Sequence, residues 1–291
     1  MKNQEPVRVF IGSGEASLVE RKVSIYSLRK HSRRELDIYV FNGTHNAIER
    51  NDDQPYLAPM SLRVKYRNTT EFSLYRYLIP QLCNYQGKAI YIDSDTICFT
   101  DIGELFDTHL YGCDFLAKRA YSTEAKDLWG LSVMLIDCQK CNFDLETYYD
   151  EIEQGLYSYP DFARMSPAFL AHHHYQIGEL NPLWNVFDYY DKDTKLIHYT
   201  NLYTQPWKSA NHPYGELWFQ YFNEARECGY ISQNDIDLSF ARSYVRRDLL
   251  KGNFSGSLFK KVGYTPFISR LYESLKKLMS NFIKVIISPV R

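Results

Sequence analysis

Short apolar runs alternate with longer amphipathic segments along most of this chain. The apolar runs predict β-strands over residues 7–11, 36–41, 89–92, 115–117, 133–136 and 196–199. Helical periodicity predicts helices after a capping Ser17, over 71–82, over 144–175 with a proline break, and over 216–228. Residues 42–70 are polar and predict a long loop. Because strands and helices alternate, the pattern predicts an α/β fold with a mostly parallel sheet covered by helices.

The end of the chain differs from the rest in charge and in periodicity. Residues 241–291 contain 11 Lys or Arg and 2 Asp or Glu, whereas the whole chain has a net charge of −1. Residues 267–286 place their apolar side chains on one side of a helix and basic ones on the other. The sequence therefore predicts a domain over 1–240 and a basic extension over 241–291. Its amphipathic helix is expected to bind an anionic membrane surface, with docking on the core or on a second subunit as the alternative.

Composition restricts the class of protein. Apolar residues make up 45% and charged residues 24%, which excludes a disordered chain. The isoelectric point of 6.7 argues against a nucleic-acid binder. No signal-peptide pattern and no long apolar run is present, and the six cysteines have no disulfide spacing. These features predict a cytoplasmic protein, peripheral on the inner face of the membrane if its basic helix binds lipid.

Three smaller motifs contain residue types that can carry chemistry. Cys138 and Cys141 form a lone CxxC, which indicates incidental reduced thiols because a structural zinc site needs four ligands. The three consecutive histidines at 172–174 indicate a solvated turn, since adjacent side chains point apart. The stretch GSGEAS over 12–17 follows a strand and precedes a helix, as a dinucleotide turn does, but its third position is Ser17. It supports an NAD-type oxidoreductase only weakly, and it can equally line another nucleotide site.

A pair of carboxylates follows the apolar strand at 89–92. Asp93 and Asp95 are two residues apart, so an extended backbone directs both side chains to one face. Two carboxylates at that distance repel each other unless a cation joins them, and hard oxygen ligands suit Mg²⁺ or Mn²⁺. An ordinary polar turn explains the same spacing.

Several blocks in a fixed order resemble the family 8 glycosyltransferases, which include glycogenin and bacterial lipopolysaccharide hexosyltransferases. They are EFSLYRYLIPQLC (71–83), KAIYIDSDT (88–96), DIGELF (101–106), VMLID (133–137) and IHY…QPW (197–207), together with the opening strand and helix over 10–32. The resemblance extends over about residues 7–225. It implies the GT-A fold, a Rossmann-like, mostly parallel mixed sheet with flanking helices and a nucleotide-sugar site at the strand ends.

The resemblance also implies roles for individual residues. Asp93, Asp95 and His198 match the metal ligands, and Arg76 matches a catalytic arginine that contacts the donor. The expected cofactor is Mn²⁺ or Mg²⁺, with a UDP-sugar as donor. Residues expected to line the donor site in addition to Arg76 are Gly12, Ser13, Glu15, Ser94 and Lys208. Trp207 is expected to line the site because its motif matches.

The chain departs from the family pattern at three places. Gly130-Leu131-Ser132 stands where the family has Asn-Ser-Gly, so an amide that contacts sugar is missing. No Asp-Gln-Asp block precedes LNPLWN (180–185), which leaves Glu179 as the nearest candidate nucleophile. Gln205 replaces the lysine of the Lys-Pro-Trp motif, and Lys208 is a candidate substitute for it.

The resemblance, together with these patterns, implies a metal-dependent retaining hexosyltransferase. It would transfer a hexose from a UDP-sugar to a glycan or lipid-linked acceptor in envelope or exopolysaccharide synthesis. The alternative is a non-catalytic nucleotide- or glycan-binding relative of the same fold, which the departures favour. An NAD-type oxidoreductase is the third hypothesis.

Overall fold

The strands of this computed structural model form one large and one small sheet. The structure describes residues 5–50, 54–55, 70, 72–120 and 128–251. The strands in chain order are β1 Val7–Ser13, β2 Leu36–Asn42, β3 Ala47–Arg50, β4 Gln54–Pro55, β5 Lys88–Asp93, β6 Thr96–Cys98, β7 Phe115–Arg119, β8 Trp129–Asp137, β9 Ile177–Glu179, β10 Val186–Phe187 and β11 Leu196–His198.

The large sheet has eight strands in the order β4-β3-β2-β1-β5-β8-β7-β9. Its centre, β2-β1-β5, is parallel, and only β3 and β8 run against the other strands. The prediction of a mostly parallel mixed sheet is therefore confirmed. The small sheet has the order β10-β11-β6, with β11 antiparallel to β6.

Helices cover both faces of the large sheet. They are α1 Leu18–His31, α2 Ile79–Leu82, α3 Gly103–Phe106, α4 Leu145–Glu153, α5 Tyr159–Ala163, α6 Pro167–Leu170, α7 Gly215–Glu227 and α8 Gln233–Ala241. Short 3-10 turns occupy Glu15–Ser17, Tyr75–Leu78, Pro182–Trp184 and Leu249–Lys251. The helix predicted over 71–82 is thus a 3-10 turn continued by α2, and the segment 144–175 contains three short helices.

The side chains of each central strand divide between two cores. Phe10 and Tyr91 pack on one face with the aromatic side chains of α4–α6, whereas Ile11 and Ile92 pack on the other face near α1 and α3. A third cluster joins α1, α7, α8 and β11 around Trp218. This alternation follows from the two-residue period of a strand, and it fixes which side chains reach the carboxyl ends of β1 and β5.

Two local predictions were wrong. Residues 42–70 are not simply a loop, because β3 and β4 extend the sheet through antiparallel pairing. These strands are only four and two residues long, and runs this short show no recognisable alternation of apolar and polar residues. Ser17 stands at the N-cap position of α1 but its side chain makes no capping hydrogen bond, because a 3-10 turn precedes the helix.

The predicted amphipathic helix over 267–286 lies outside the described residues. Within the residues that the structure describes, no helix has the length and apolarity needed to cross a membrane. The domain boundary at residue 240 stays a prediction. On its C-terminal side, Val245 and Leu249 are buried in the third cluster.

Candidate active site

Three side chains that can bind a metal come together where the two sheets meet. Asp93 ends β5, Asp95 lies just before β6, and His198 ends β11. The pairing of β6 with β11 sets Thr96 opposite His198, and the Tyr199 amide donates to the Asp95 carbonyl at 2.9 Å. One ligand atom from each of the three side chains lies within 4.8 Å of the other two. The predicted trio is therefore brought together by the fold.

The trio fits a divalent cation. His198 Nε2 lies 2.8 Å from Asp95 Oδ1. This buried oxygen nevertheless has no donor oriented to hydrogen-bond it. A buried carboxylate oxygen of this kind, this close to an imidazole nitrogen, is what two ligands of one ion present. Two carboxylates and one imidazole suit Mn²⁺ and leave coordination positions open. Within the described residues, this is the group of His, Cys, Asp and Glu that could hold an ion.

Protons compete with a cation for this trio. Burial raises the pKa of Asp93, although Arg76 and His198 oppose this effect. Burial would lower the pKa of His198, but the Asp95 and Asp93 carboxylates outweigh it and the pKa is raised. Both shifts favour protonated groups when no metal is bound. A cation must therefore displace protons, and its affinity falls as the pH falls.

Asn185 orients the imidazole of His198. The Asn185 side chain is fully buried, and its Oδ1 lies 3.1 Å from His198 Nδ1. Its Nδ2 donates to Ser132 Oγ at 3.0 Å, so the amide oxygen faces the ring and accepts from Nδ1–H. This tautomer leaves the Nε2 lone pair free for a cation. The sequence showed Asn185 only as part of a preserved motif, and no spacing pointed to this role.

We expect Asn185→Ala to weaken Mn²⁺ binding by about 10–100-fold, since partners of metal-bound histidines have effects of this size. Calorimetric titration of Mn²⁺ measures it, with circular dichroism to verify folding. Asn181→Ala is the matched control, because Asn181 lies in the same loop but only accepts from the Leu183 amide. Ser132→Ala should have a smaller effect. Unchanged Mn²⁺ affinity in Asn185→Ala would rule out the orienting role.

Arg76 is buried beside the trio. Its Nε donates to the Ser73 carbonyl at 2.7 Å, and it also donates to the Leu131 carbonyl. The remaining guanidinium nitrogen, Nη2, lies 3.5 Å from Asp93 Oδ1. Tyr91 lies under the guanidinium, 4.5 Å from ring centroid to Cζ, and its hydroxyl donates to the same Asp93 oxygen at 2.7 Å. Arg76 and Tyr91 therefore fix Asp93 from two sides.

A cavity opens directly from Arg76 and Asp93. Its volume is about 370 Å³, and Tyr77, Tyr159 and Arg164 also line it. Its walls combine aromatic rings with charged groups, which is typical of sites for polar organic ligands.

Gly12 and Ser94 lie next to Asp93. Gly12 pairs with Asp93 across the β1–β5 ladder, and its carbonyl accepts from the Ser94 amide at 3.1 Å. A Cβ on Gly12 would lie 2.2 Å from the Tyr91 hydroxyl and 2.6 Å from Phe72 Cδ2. The glycine is therefore explained by the passage of Tyr91 towards Asp93. Its contact with a nucleotide stays a prediction.

Ser13 and Glu15 follow on the same turn. Ser13 is fully buried. The Glu15 carboxylate lies 3.2 Å from His45 Nε2, accepts from the Tyr244 hydroxyl at 3.2 Å, and lies 3.5 Å from Arg242. Glu15 thus connects this turn to the chain that follows α8. The donor contacts predicted for both residues stay predictions.

Gln205 holds the second carboxylate. Its Nε2 donates to Asp95 Oδ2 at 3.2 Å and to the Tyr199 carbonyl at 2.9 Å. Lys208 is exposed, and its charge acts on the buried Glu20. Burial raises the pKa of Glu20 to about 7, and Asp95 acts on the same carboxyl. Lys208 therefore lies at the same end of the fold as the trio.

Trp207 does not line the site, and that prediction was wrong. It is fully buried, 5.4 Å from Trp218 between ring centroids, because its motif turns the indole into the third core cluster. Glu179 ends β9 and is exposed, and its role as a nucleophile stays a prediction.

The three histidines occupy a turn, and the two cysteines of the CxxC motif are buried. The histidines follow α6 in a turn, where His173 pairs with Glu151 at 2.5 Å. Cys138 and Cys141 are free thiols buried in the core.

Comparisons with known proteins agree with the sequence prediction. The family model described as glycosyl transferase family 8 matches residues 18–129, which include Arg76, Asp93 and Asp95. The predicted resemblance to this family is thereby confirmed over residues 18–129, whereas His198 lies beyond them. Among proteins with curated annotation, no match was found.

Solved structures of glycosyltransferases share the fold. Galactosyltransferase LgtC, solved with donor and acceptor sugar analogues, is 13% identical and has a TM-score of 0.53 over 74% of this chain and 95% of its own. GlyE from Streptococcus pneumoniae is 17% identical, with a TM-score of 0.52 over 83% of this chain and 66% of its own. Bifunctional WbbM is 14% identical, with a TM-score of 0.50 over 76% of this chain and 50% of its own. The chain thus spans half of WbbM and just under two thirds of GlyE. The GT-A fold predicted from the sequence is confirmed.

Proposed function

We propose that this chain, whose residues 18–129 match glycosyl transferase family 8, is a divalent-cation-dependent hexosyltransferase. Its donor would be a UDP-sugar and its acceptor a glycan or a lipid-linked glycan, with retention of anomeric configuration. One observation carries the proposal: Asp93, Asp95 and His198 converge beside the buried Arg76 at the carboxyl ends of the sheet. Ligands of open α/β sheets bind at such an edge.

The residues of the site have separable roles in this proposal. Asp93, Asp95 and His198 would hold Mn²⁺ or Mg²⁺, which stabilises negative charge on a diphosphate leaving group. Arg76 adds a permanent positive charge at the same place, in a buried setting where it acts strongly. Tyr91 and Gln205 hold the two carboxylates in position by direct hydrogen bonds.

A non-catalytic nucleotide- or glycan-binding protein is the second candidate. Gln205 favours it, because its amide is hydrogen-bonded to Asp95 and to the Tyr199 carbonyl and adds no positive charge.

Gly12 does not favour an NAD-type oxidoreductase, since the closeness of the Tyr91 hydroxyl already explains why this position is a glycine. Binding of the predicted C-terminal helix to the inner face of the membrane remains part of the proposal.

We expect UDP with Mn²⁺ to raise the melting temperature, since a ligand at 100 times its Kd stabilises by about 2.7 kcal/mol. The shift should need both components and should shrink as the pH falls, because protons compete at Asp93 and His198. Differential scanning fluorimetry with UDP, GDP and NAD, each with Mn²⁺ or EDTA, makes the comparison. A shift with NAD alone, or none with any nucleotide, would contradict the proposal. Binding of UDP-sugars without turnover in a donor and acceptor panel would favour the non-catalytic candidate.

A further inference from the structure

Lys118 is a lysine without an acidic partner in the described residues. It lies on β7, and its Nζ donates to the Asn185 carbonyl at 2.5 Å and lies 3.9 Å from the centroid of the Phe187 ring. Burial lowers its pKa to about 8. An ammonium that has lost part of its hydration without gaining a counter-ion is costly to keep. A ligand with negative charge would offset that cost.

Lys118 is close to the metal-binding trio. The Asn185 side chain that orients His198 belongs to the residue whose carbonyl Lys118 contacts. The Phe187 ring lies 5.6 Å from the His198 ring, and Lys118 Nζ lies 3.9 Å from Phe187. The ammonium is therefore within about 10 Å of the metal-binding imidazole. A single sugar attached to a diphosphate at the trio has dimensions of this order.

The surface around Lys118 has the features of a sugar site. Gly130 pairs with Lys118 across the β7–β8 ladder, and a Cβ there would be in van der Waals contact with the Lys118 carbonyl oxygen at 3.6 Å and with Phe187 Cζ at 4.0 Å, so the glycine keeps this surface free of a further side chain. The Phe187 ring is 44% exposed despite its size. The apolar face of a sugar can pack on such a ring while its polar groups reach the lysine. On the next residues of β8, the Leu131 carbonyl accepts from Arg76 and the Ser132 hydroxyl accepts from Asn185. One strand thus connects this surface to both sides of the site.

We propose that Lys118 is a specificity-determining residue that binds a carboxylate on the sugar substrate. The proposal rests on the proposed function, because it requires a glycosyl donor at the trio. A carboxylate and the ammonium form a hydrogen bond in which both partners are charged, and this bond is stronger than the one the ammonium forms with a neutral hydroxyl. The carboxylate could belong to the donor, as in a UDP-uronic acid, or to the acceptor, as in a glycan that ends in a uronic acid.

Two arms of one experiment distinguish these sources. Calorimetry with Mn²⁺ compares UDP-glucuronic and UDP-galacturonic acid with UDP-glucose and UDP-galactose. A transfer assay with each accepted donor compares glycan acceptors that end in a uronic acid or in the neutral hexose. In the arm whose ligand supplies the carboxylate, the wild type should prefer the acidic ligand over the neutral one by at least about 10-fold. Lys118→Met should remove that preference. Binding or transfer of the neutral counterpart should change less than about threefold.

Lys195→Met is the matched control. Lys195 also lies near an aromatic ring, 5.0 Å from Trp184, but it is paired with Glu104 at 2.7 Å. It should leave the acidic preference unchanged. Lys118→Arg should retain part of it, because the charge remains.

The failures of the two proposals have different signatures. If UDP binds with Mn²⁺ but neither arm shows an acidic preference in wild type, the role of Lys118 is wrong and the glycosyltransferase proposal stands. The same holds if Lys118→Met impairs acidic and neutral ligands equally. If UDP and Mn²⁺ do not bind at all, the proposed function fails, and the inference about Lys118 fails with it.

Discussion

Replacing Asp95 by asparagine is expected to lower kcat/KM for transfer by at least about 1,000-fold. The amide has nearly the shape of the carboxylate, so its contact with Gln205 can persist and the fold should be retained. It has no negative charge, however, and its oxygen is a weak ligand next to His198. A metal ion contributes several kcal/mol to stabilising developing charge, and about 4 kcal/mol corresponds to about 1,000-fold in rate. Titration of transfer activity with Mn²⁺ is the measurement.

Asp101→Asn is the control for this variant. Asp101 lies beyond the far end of β6, where it accepts from the Gly103 amide at 2.9 Å, and its loss should leave the Mn²⁺ dependence unchanged. The variant at position 95 should need far more Mn²⁺ for the residual activity. If it kept wild-type turnover and Mn²⁺ affinity, Asp95 would not be a ligand and the trio would lose its proposed role.

The sequence predicted the centre of the fold because its central strands are nearly continuous in apolar residues. β1, β2, β5 and β8 are buried on both faces, and this gives runs that are recognisable without tertiary information. Asp93 and Asp95 could be singled out from their position after such a strand. His198 could not be singled out in that way, since it is more than 100 positions away along the chain. Only the resemblance to a family connected it to the pair.

The sequence alone predicted neither the edge of the sheet at β3 and β4 nor the hydrogen bonds that support the site. β3 and β4 are only four and two residues long, and what makes them strands is the pairing of β3 with β2 and of β4 with β3. Asn185 and Gln205 act through one hydrogen bond each on a ligand, and no periodicity reports such a contact. At Trp207 the motif matched the family, but it did not show that the side chain turns into the core and away from the site.

Gln205 stands where the family motif has a lysine, and this difference changes the charge of the site. A lysine there would place a positive charge beside the carboxylate, whereas the glutamine holds Asp95 through a neutral amide. The positive charge at this end of the fold then comes from Arg76 and from the exposed Lys208. Arg76 is the only one of the two in contact with the trio in the described residues, so the electrostatics of the site depend heavily on it.

Replacing Arg76 by methionine is expected to destabilise the metal-free protein by about 3–5 kcal/mol. Loss of one partner from a buried ion pair is strongly destabilising, and here it leaves the Asp93 carboxylate with only His198 to offset its charge. The carbonyls of Ser73 and Leu131 lose their donor as well. Urea unfolding in EDTA measures the change. Arg50→Met is the control, because its pair with Asp37 is half exposed and should contribute less than about 1 kcal/mol.

Mn²⁺ separates the structural role of Arg76 from its catalytic role. A bound cation supplies the positive charge that Asp93 has lost, so Mn²⁺ should stabilise Arg76→Met more than it stabilises the wild type. Transfer should nevertheless remain impaired at saturating Mn²⁺, because charge on the leaving diphosphate still lacks the guanidinium. If Mn²⁺ restored stability and turnover together, Arg76 would only compensate the charge of Asp93. An unchanged urea midpoint in EDTA would contradict the ion pair itself.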